Sequence, residues 1–252
     1  MTKSLAAGDS SGIARRFATT RWSIVLAAGE RDAGEAAPAL ATLCEIYWYP
    51  VYAFIRRRGM SPADAQDATQ GFFAALLEQD YVSSADRERG RFRTFLLTAV
   101  SRFLSKQREH NRTLKRGGGR KLLSIDAAVG EDRYLLEPTD DWSPERLFER
   151  RWALTLLDRV LARLEQRYTE QGQTQLFEKL QGCLTGADPE VSHTDLAADL
   201  KMTPGALKVA IHRLRRRYRD LLKAEIAETV AGADEVADEL DYLLAALRGG
   251  TP

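Results

Sequence analysis

The chain has 252 residues, 44% of them hydrophobic and 29% charged, with a formal net charge of +1. That is enough apolar material for ordinary cores, and no apolar run approaches the roughly 18 residues a membrane helix needs. The two cysteines, Cys44 and Cys183, are too far apart to read as a metal or disulfide framework and fit two buried thiols.

The near-zero total conceals blocks of opposite sign. Residues 87–121 carry twelve lysines and arginines against two glutamates, a net of +10. Residues 208–223 carry seven basic residues against Asp220, a net of +6. Residues 126–149 hold eight acids and two bases, and residues 225–241 hold seven acids and no base. Such alternation suggests separate tasks for separate segments.

In chain order, residues 1–18 are expected to be disordered, with Ser, Gly and Ala dominant early and no apolar stretch of the signal-peptide kind. A short helix is predicted over Arg21 to Ala28, with Trp22, Val25 and Leu26 on one face. A longer helix, about Pro38 to Arg58, has Leu40, Leu43, Tyr47, Val51, Phe54 and Ile55 at three- and four-residue steps. Pro50 should kink it, and Gly59 should end it in a left-handed conformation.

Ser61-Pro62 then opens a helix to about Glu78, with Ala65, Ala68, Phe72, Phe73, Leu76 and Leu77 inward. The next helix runs from about Gly90 to Thr113, with Phe92, Phe95, Leu96, Ala99, Val100 and Phe103 as its apolar face. Residues 114–142 contain Gly117-Gly118-Gly119 and little periodicity, and read as a linker with a short ordered piece at Leu122 to Ile125. Helices resume over Pro144 to Tyr168 and Gln173 to Leu184, and a last amphipathic one covers Asp234 to Leu247.

No alternating strand pattern exceeds four residues, so the expected class is all-α: two helical domains joined by a flexible acidic linker. The boundaries read as 1–18 disordered N-terminus, 19–113 first helical domain, 114–142 linker, 143–224 helix-turn-helix domain and 225–252 acidic C-terminal extension.

Residues 194–222 have helix-turn-helix form. Leu196, Ala197 and Leu200 make one apolar face, and Leu207, Ile211, Leu214, Tyr218 and Leu221 make another. Packing these together leaves Gly205, Ala206, Lys208, Val209, His212, Arg213 and Arg216 outward, beginning at the capping residue Thr203. In this motif the second helix enters the major groove and its flanks meet phosphates. An arginine run alone more often marks a solvated face; the short turn and the Thr-Pro cap are what point to duplex DNA. None of His110, His193 and His212 has a metal-spaced partner, so no metal site and no cofactor are expected.

The stretch from Leu43 to Arg58 followed by Gly59 and Asp64 to Phe73 resembles region 2 of the extracytoplasmic-function sigma factors of bacterial RNA polymerase. The matching positions are Tyr49, Pro50, Val51, Tyr52, Phe54, Gly59, Asp64, Ala65, Asp67, Gln70 and Phe73. Thr203 to Leu222 resembles region 4 of that family, with Gly205, Lys208, His212, Arg213, Arg215 and Arg219 in register. Together the two stretches of likeness cover roughly residues 38–113 and 145–223.

The resemblance implies a non-catalytic promoter-specificity subunit that acts in the cytoplasm. Asp64, Asp67, Gln70 and Phe73 would bind core RNA polymerase. Arg102, Lys106, Arg108, His110, Asn111 and Arg112 would meet melted promoter DNA, with Lys115 and Arg116 beyond them. Thr203, Gly205, Ala206, Lys208, Val209, His212, Arg213 and Arg216 would read the upstream duplex element. An inhibitory anti-sigma protein is a further implied partner; a membrane is not.

The chain departs from the family pattern at several positions. Phe95 stands where a Trp is usual, Ser101-Arg102 replace Arg-Asn, and Lys106 replaces an acid. Lys201 replaces the turn glycine and Ala210 a recognition-helix arginine. Base preference at the melted element is therefore not carried over.

The alternative is a stand-alone helix-turn-helix regulator that dimerises through residues 1–113. An enzyme is disfavoured: residues 116–121 lack P-loop spacing, and no nucleophile is paired with a base. The acidic tail could complete the C-terminal core or fold back over the basic helix from Lys208 to Arg219.

Overall fold

A computed structural model describes residues 33–77, 91–113, 127–137, 142–184 and 192–248. Among them the regular structure is helical, with no strand, and no helix is long and apolar enough to cross a membrane. The predicted helix at Arg21 to Ala28 and the expected disorder of residues 1–18 fall outside the described residues. The contacts divide the chain into two compact units, Met1–Asp140 and Asp141–Pro252.

The first unit is built on α1 (Ala33–Arg57), α2 (Pro62–Leu77), α3 (Phe92–Thr113) and α4 (Ala127–Leu135). Helix α1 continues through Pro50, and Gly59 ends it at φ 86°, a conformation costly for any side chain. Ser61 caps α2: its Oγ accepts from the Asp64 amide at 3.2 Å. The predicted faces of α1 and α2 form the core, with Leu43, Tyr47, Val51, Phe54, Ile55, Ala65, Ala68, Phe72, Phe73 and Leu76 all buried. On α3 the buried apolar set is Phe92, Leu96, Ala99, Val100 and Leu104; Phe95 and Phe103 are half-exposed instead.

The ordered piece expected at Leu122 to Ile125 lies outside the described residues, and the expected flexible linker over 114–142 needs correction in its described part. Its described middle is a helix, α4, and that helix packs on α1 and α2. The reason is chemical rather than periodic. Tyr49, Tyr52 and Arg56 share a face of α1 at steps of three and four, and each meets an acidic partner. The Tyr52 hydroxyl donates to Glu131 Oε2 at 2.6 Å, and the Tyr49 hydroxyl donates to Glu137 Oε1 at 2.6 Å. Arg56 grips Glu131 with two bonds, Nε to Oε2 at 2.9 Å and Nη2 to Oε1 at 2.7 Å. Its guanidinium also lies 4.8 Å from the Tyr134 ring centroid, and that of Arg133 lies 4.0 Å from the Tyr49 ring centroid. Gly130 permits the close approach, since a Cβ there would come within 3.1 Å of the Trp48 ring.

The second unit is built on α5 (Pro144–Glu170), α6 (Thr174–Leu180), a 3-10 turn (Gln181–Leu184), α7 (His193–Asp199), α8 (Pro204–Ala227) and α9 (Glu235–Arg248). Ser143, Ser192 and Thr203 each cap a helix, their hydroxyls accepting from the amides of Arg146, Thr194 and Ala206. The long helix α5 is the spine: α6, α8 and α9 all pack on it. Its buried face includes Leu147, Phe148, Trp152, Leu156, Val160 and Leu164.

The acidic tail belongs to this core. Glu225, at the end of α8, is 3% exposed in its side chain and pairs with Arg159 Nε at 2.8 Å and Arg163 Nη1 at 2.6 Å, both from α5. On α9, Glu239, Leu243 and Ala246 are buried, and the Tyr242 hydroxyl donates to the Glu149 carboxylate of α5.

Candidate nucleic-acid interface and partner surface

Helices α7 and α8 form the helix-turn-helix, and the turn between them is held by the backbone. The Lys201 amide donates to the Ala198 carbonyl at 3.0 Å, and the Met202 amide to the Ala197 carbonyl at 2.8 Å. These two bonds make a Schellman end to α7. It places Lys201 at φ 53°, the left-handed region where the sequence lacks its usual glycine. Thr203 and Pro204 then start α8 at once.

Leu207, Ile211 and Leu214 turn α8 inward against Leu196 and Ala197 of α7 and the rest of the core. The outward face is the predicted one. Thr203, Gly205, Ala206, Lys208, Val209, His212, Arg213 and Arg216 are all exposed. The triple arginine splits by position. Arg215 Nε donates to the Cys183 carbonyl at 2.9 Å, and the Arg217 guanidinium lies 5.2 Å from the Tyr168 ring centroid. These two brace α8 against the 3-10 turn and α5. Arg216 points to solvent, with Asp220 at 3.9 Å. Cationic heads on Lys208, Arg213 and Arg216, along one face of the helix, are suited to phosphates and to guanine edges.

Beside this face an open cleft of about 390 Å³ is lined by Leu176 of α6, Met202 of the turn, and Gly205, Ala206, Val209 and Arg213 of α8, among others. Lys179 Nζ lies 2.7 Å from Asp199 Oδ2, an exposed pair linking α6 to α7. The Asp199 carboxylate raises the Lys179 ammonium above the usual lysine value, chiefly through that hydrogen bond.

On α3, Arg102, Lys106 and Arg108 are exposed. His110, Asn111 and Arg112 lie in its last turns, their side chains outside what the structure describes; Lys115 and Arg116 fall outside the described residues altogether.

Helix α2 requires a correction. Asp64 and Asp67 are exposed, and the Asp64 carboxylate accepts from the Ser61 hydroxyl at 2.7 Å. Phe73, however, is 0% exposed, with its ring 5.2 Å from that of Phe72, and Gln70 is 9% exposed. Both sit on the face that α2 turns to the core. Their side chains are turned away from solvent, unlike those of Asp64 and Asp67.

The cluster around Glu131 escaped the sequence reading. A signal was present: Tyr49, Tyr52 and Arg56 share one face of α1 at steps of three and four, a polar stripe suited to acidic partners. Compared with protein-family models, with curated proteins and with solved structures, the chain matches none.

Proposed function

We propose that this chain is a promoter-specificity subunit of the sigma type, without catalytic activity, that binds core RNA polymerase and directs it to DNA in the cytoplasm. The reading rests on the residues of this chain, since the comparisons supply no family. In it, the first unit is a region 2-like bundle with α4 packed on it, and the second a region 4-like helix-turn-helix body. The observation that carries the DNA half is the division of α8 into a buried aliphatic face and an outward basic face. Thr203, Gly205, Ala206, Lys208, Val209, His212, Arg213 and Arg216 would read an upstream duplex element. The exposed bases of α3 would track the backbone of the melted strand.

The polymerase half rests on Asp64 and Asp67, two exposed carboxylates in the first two turns of α2. A negative patch there suits both the helix dipole and a basic partner surface. The test is reconstitution with core enzyme followed by run-off transcription. The double variant Asp64→Arg with Asp67→Arg should fold normally and lose core binding. A double variant that still binds core enzyme as the parent does removes these residues from the contact. Gel shifts with and without core enzyme separate this reading from a stand-alone regulator, which would bind a palindromic duplex tightly by itself.

A further inference from the structure

The outward face of α8 is polar but for one large aliphatic side chain. Val209 is 49% exposed, while the other large aliphatics of the helix turn inward. A lone exposed valine needs no explanation by itself. Its surroundings supply one. Ala206 lies three residues before it and Arg213 four after, on the same stripe, with Lys208 and His212 alongside. Val209 also borders the cleft whose walls include the aliphatic side chains of Leu176, Met202 and Ala210. Gly205 adds no obstruction, for nothing lies within 4 Å of where its Cβ would stand. A small apolar group approaching between the basic heads would meet a methyl-lined surface there.

The edges that unmodified duplex DNA presents in the major groove carry one such group, the C5-methyl of thymine. Resting on the DNA-binding reading above, we infer that Val209 is a specificity-determining residue that contacts a thymine methyl in the upstream duplex element. The basic residues beside it hold the flanking backbone and neighbouring base edges. Val209 thus selects thymine over cytosine at one position, where cytosine presents a bare C5 edge.

The experiment begins by selecting the preferred duplex from a random pool with the full chain, alone and with core RNA polymerase. Each thymine of the selected element is then replaced singly by uracil, which removes the methyl and leaves every hydrogen-bonding group. The expected result is one position at which uracil weakens binding about fourfold, the worth of one buried methyl. In the Val209→Ala variant that penalty should disappear. Val209→Thr, with the same shape and a hydroxyl in place of one methyl, should keep part of it. Both variants change an exposed side chain and leave the core intact. A selected element in which no uracil weakens binding, or a uracil penalty that persists in Val209→Ala, overturns the assignment while DNA binding itself stands. Failure of the DNA reading looks different: no sequence is enriched, and Lys208→Glu with Arg213→Glu leaves duplex affinity unchanged. That result removes the thymine contact with it.

Discussion

Replacing Glu131 by Gln should release α4 from the first unit. The carboxylate takes two bonds from Arg56 and one from Tyr52, and the Arg56 and Glu131 side chains are only 17% and 21% exposed. Gln keeps the shape but loses the charge, and its amide turns a donor toward donors. Charge-assisted bonds at such partly buried sites contribute about 1–3 kcal/mol. A helix of nine residues does not hold itself together in water, so loss of docking means loss of the helix. Amide hydrogen exchange over residues 127–137 should therefore quicken roughly 5- to 150-fold, the equivalent of that energy, while the α1 core stays protected.

The pH dependence has a definite sign. The Arg56 hydrogen bond is the largest influence on the Glu131 carboxyl and holds it below the usual range, against the opposing effect of burial. Its contribution is thus complete above the unfolded value of about 4.3 and fades as pH falls through the lowered folded value. Protection of α4 in the parent should persist through mild acid and collapse at lower pH; in Glu131→Gln it should be weak throughout. Equal exchange in parent and variant at neutral pH would refute the docking argument.

Other substitutions probe the second unit and α2. Lys201→Gly should raise the stability of the second unit by about 0.5–1 kcal/mol, because it relieves a left-handed side-chain conformation at some cost in chain entropy. Lys201→Val should lower stability instead; identical urea midpoints for all three proteins would mean that the turn stores no strain. Arg159→Ala with Arg163→Ala removes two cationic partners of the buried Glu225 carboxylate and should cost about 3–5 kcal/mol, whereas Glu225→Leu should cost far less. Urea unfolding that ranks the two changes in the reverse order would contradict the assigned pairing. Phe73→Ala should cost about 3–5 kcal/mol as a core truncation, while Asp67→Ala should stay within about 0.5 kcal/mol. A thermal melt of Phe73→Ala that matches the parent would return Phe73 to the candidate partner surface.

Local physics made much of this chain legible before folding. Hydroxyl-proline pairs marked the starts of α2, α5 and α8, because a side-chain oxygen and a missing amide satisfy the same helix end. Aliphatic spacing separated the inward from the outward side of α8, so the candidate DNA face could be named residue by residue. These features depend on neighbours within a turn or two. Three things did not. Apolar spacing already turned Phe73 inward, against the partner role that the resemblance implied, but only packing shows that the polar Gln70 is buried beside it. Helix α4 has no periodic signal, since what holds it are carboxylates reaching Tyr49, Tyr52 and Arg56 from 75 to 88 residues away along the chain. The acidic tail could by its sequence complete the C-terminal core or fold back over the basic helix; the pairing of Glu225 with two arginines of α5 and the burial of Glu239 place it in the core. Charge read along a chain gives its sign and its density. Whether a given charge meets water or a partner is decided by the tertiary fold, because partners distant in sequence must be brought within hydrogen-bond reach.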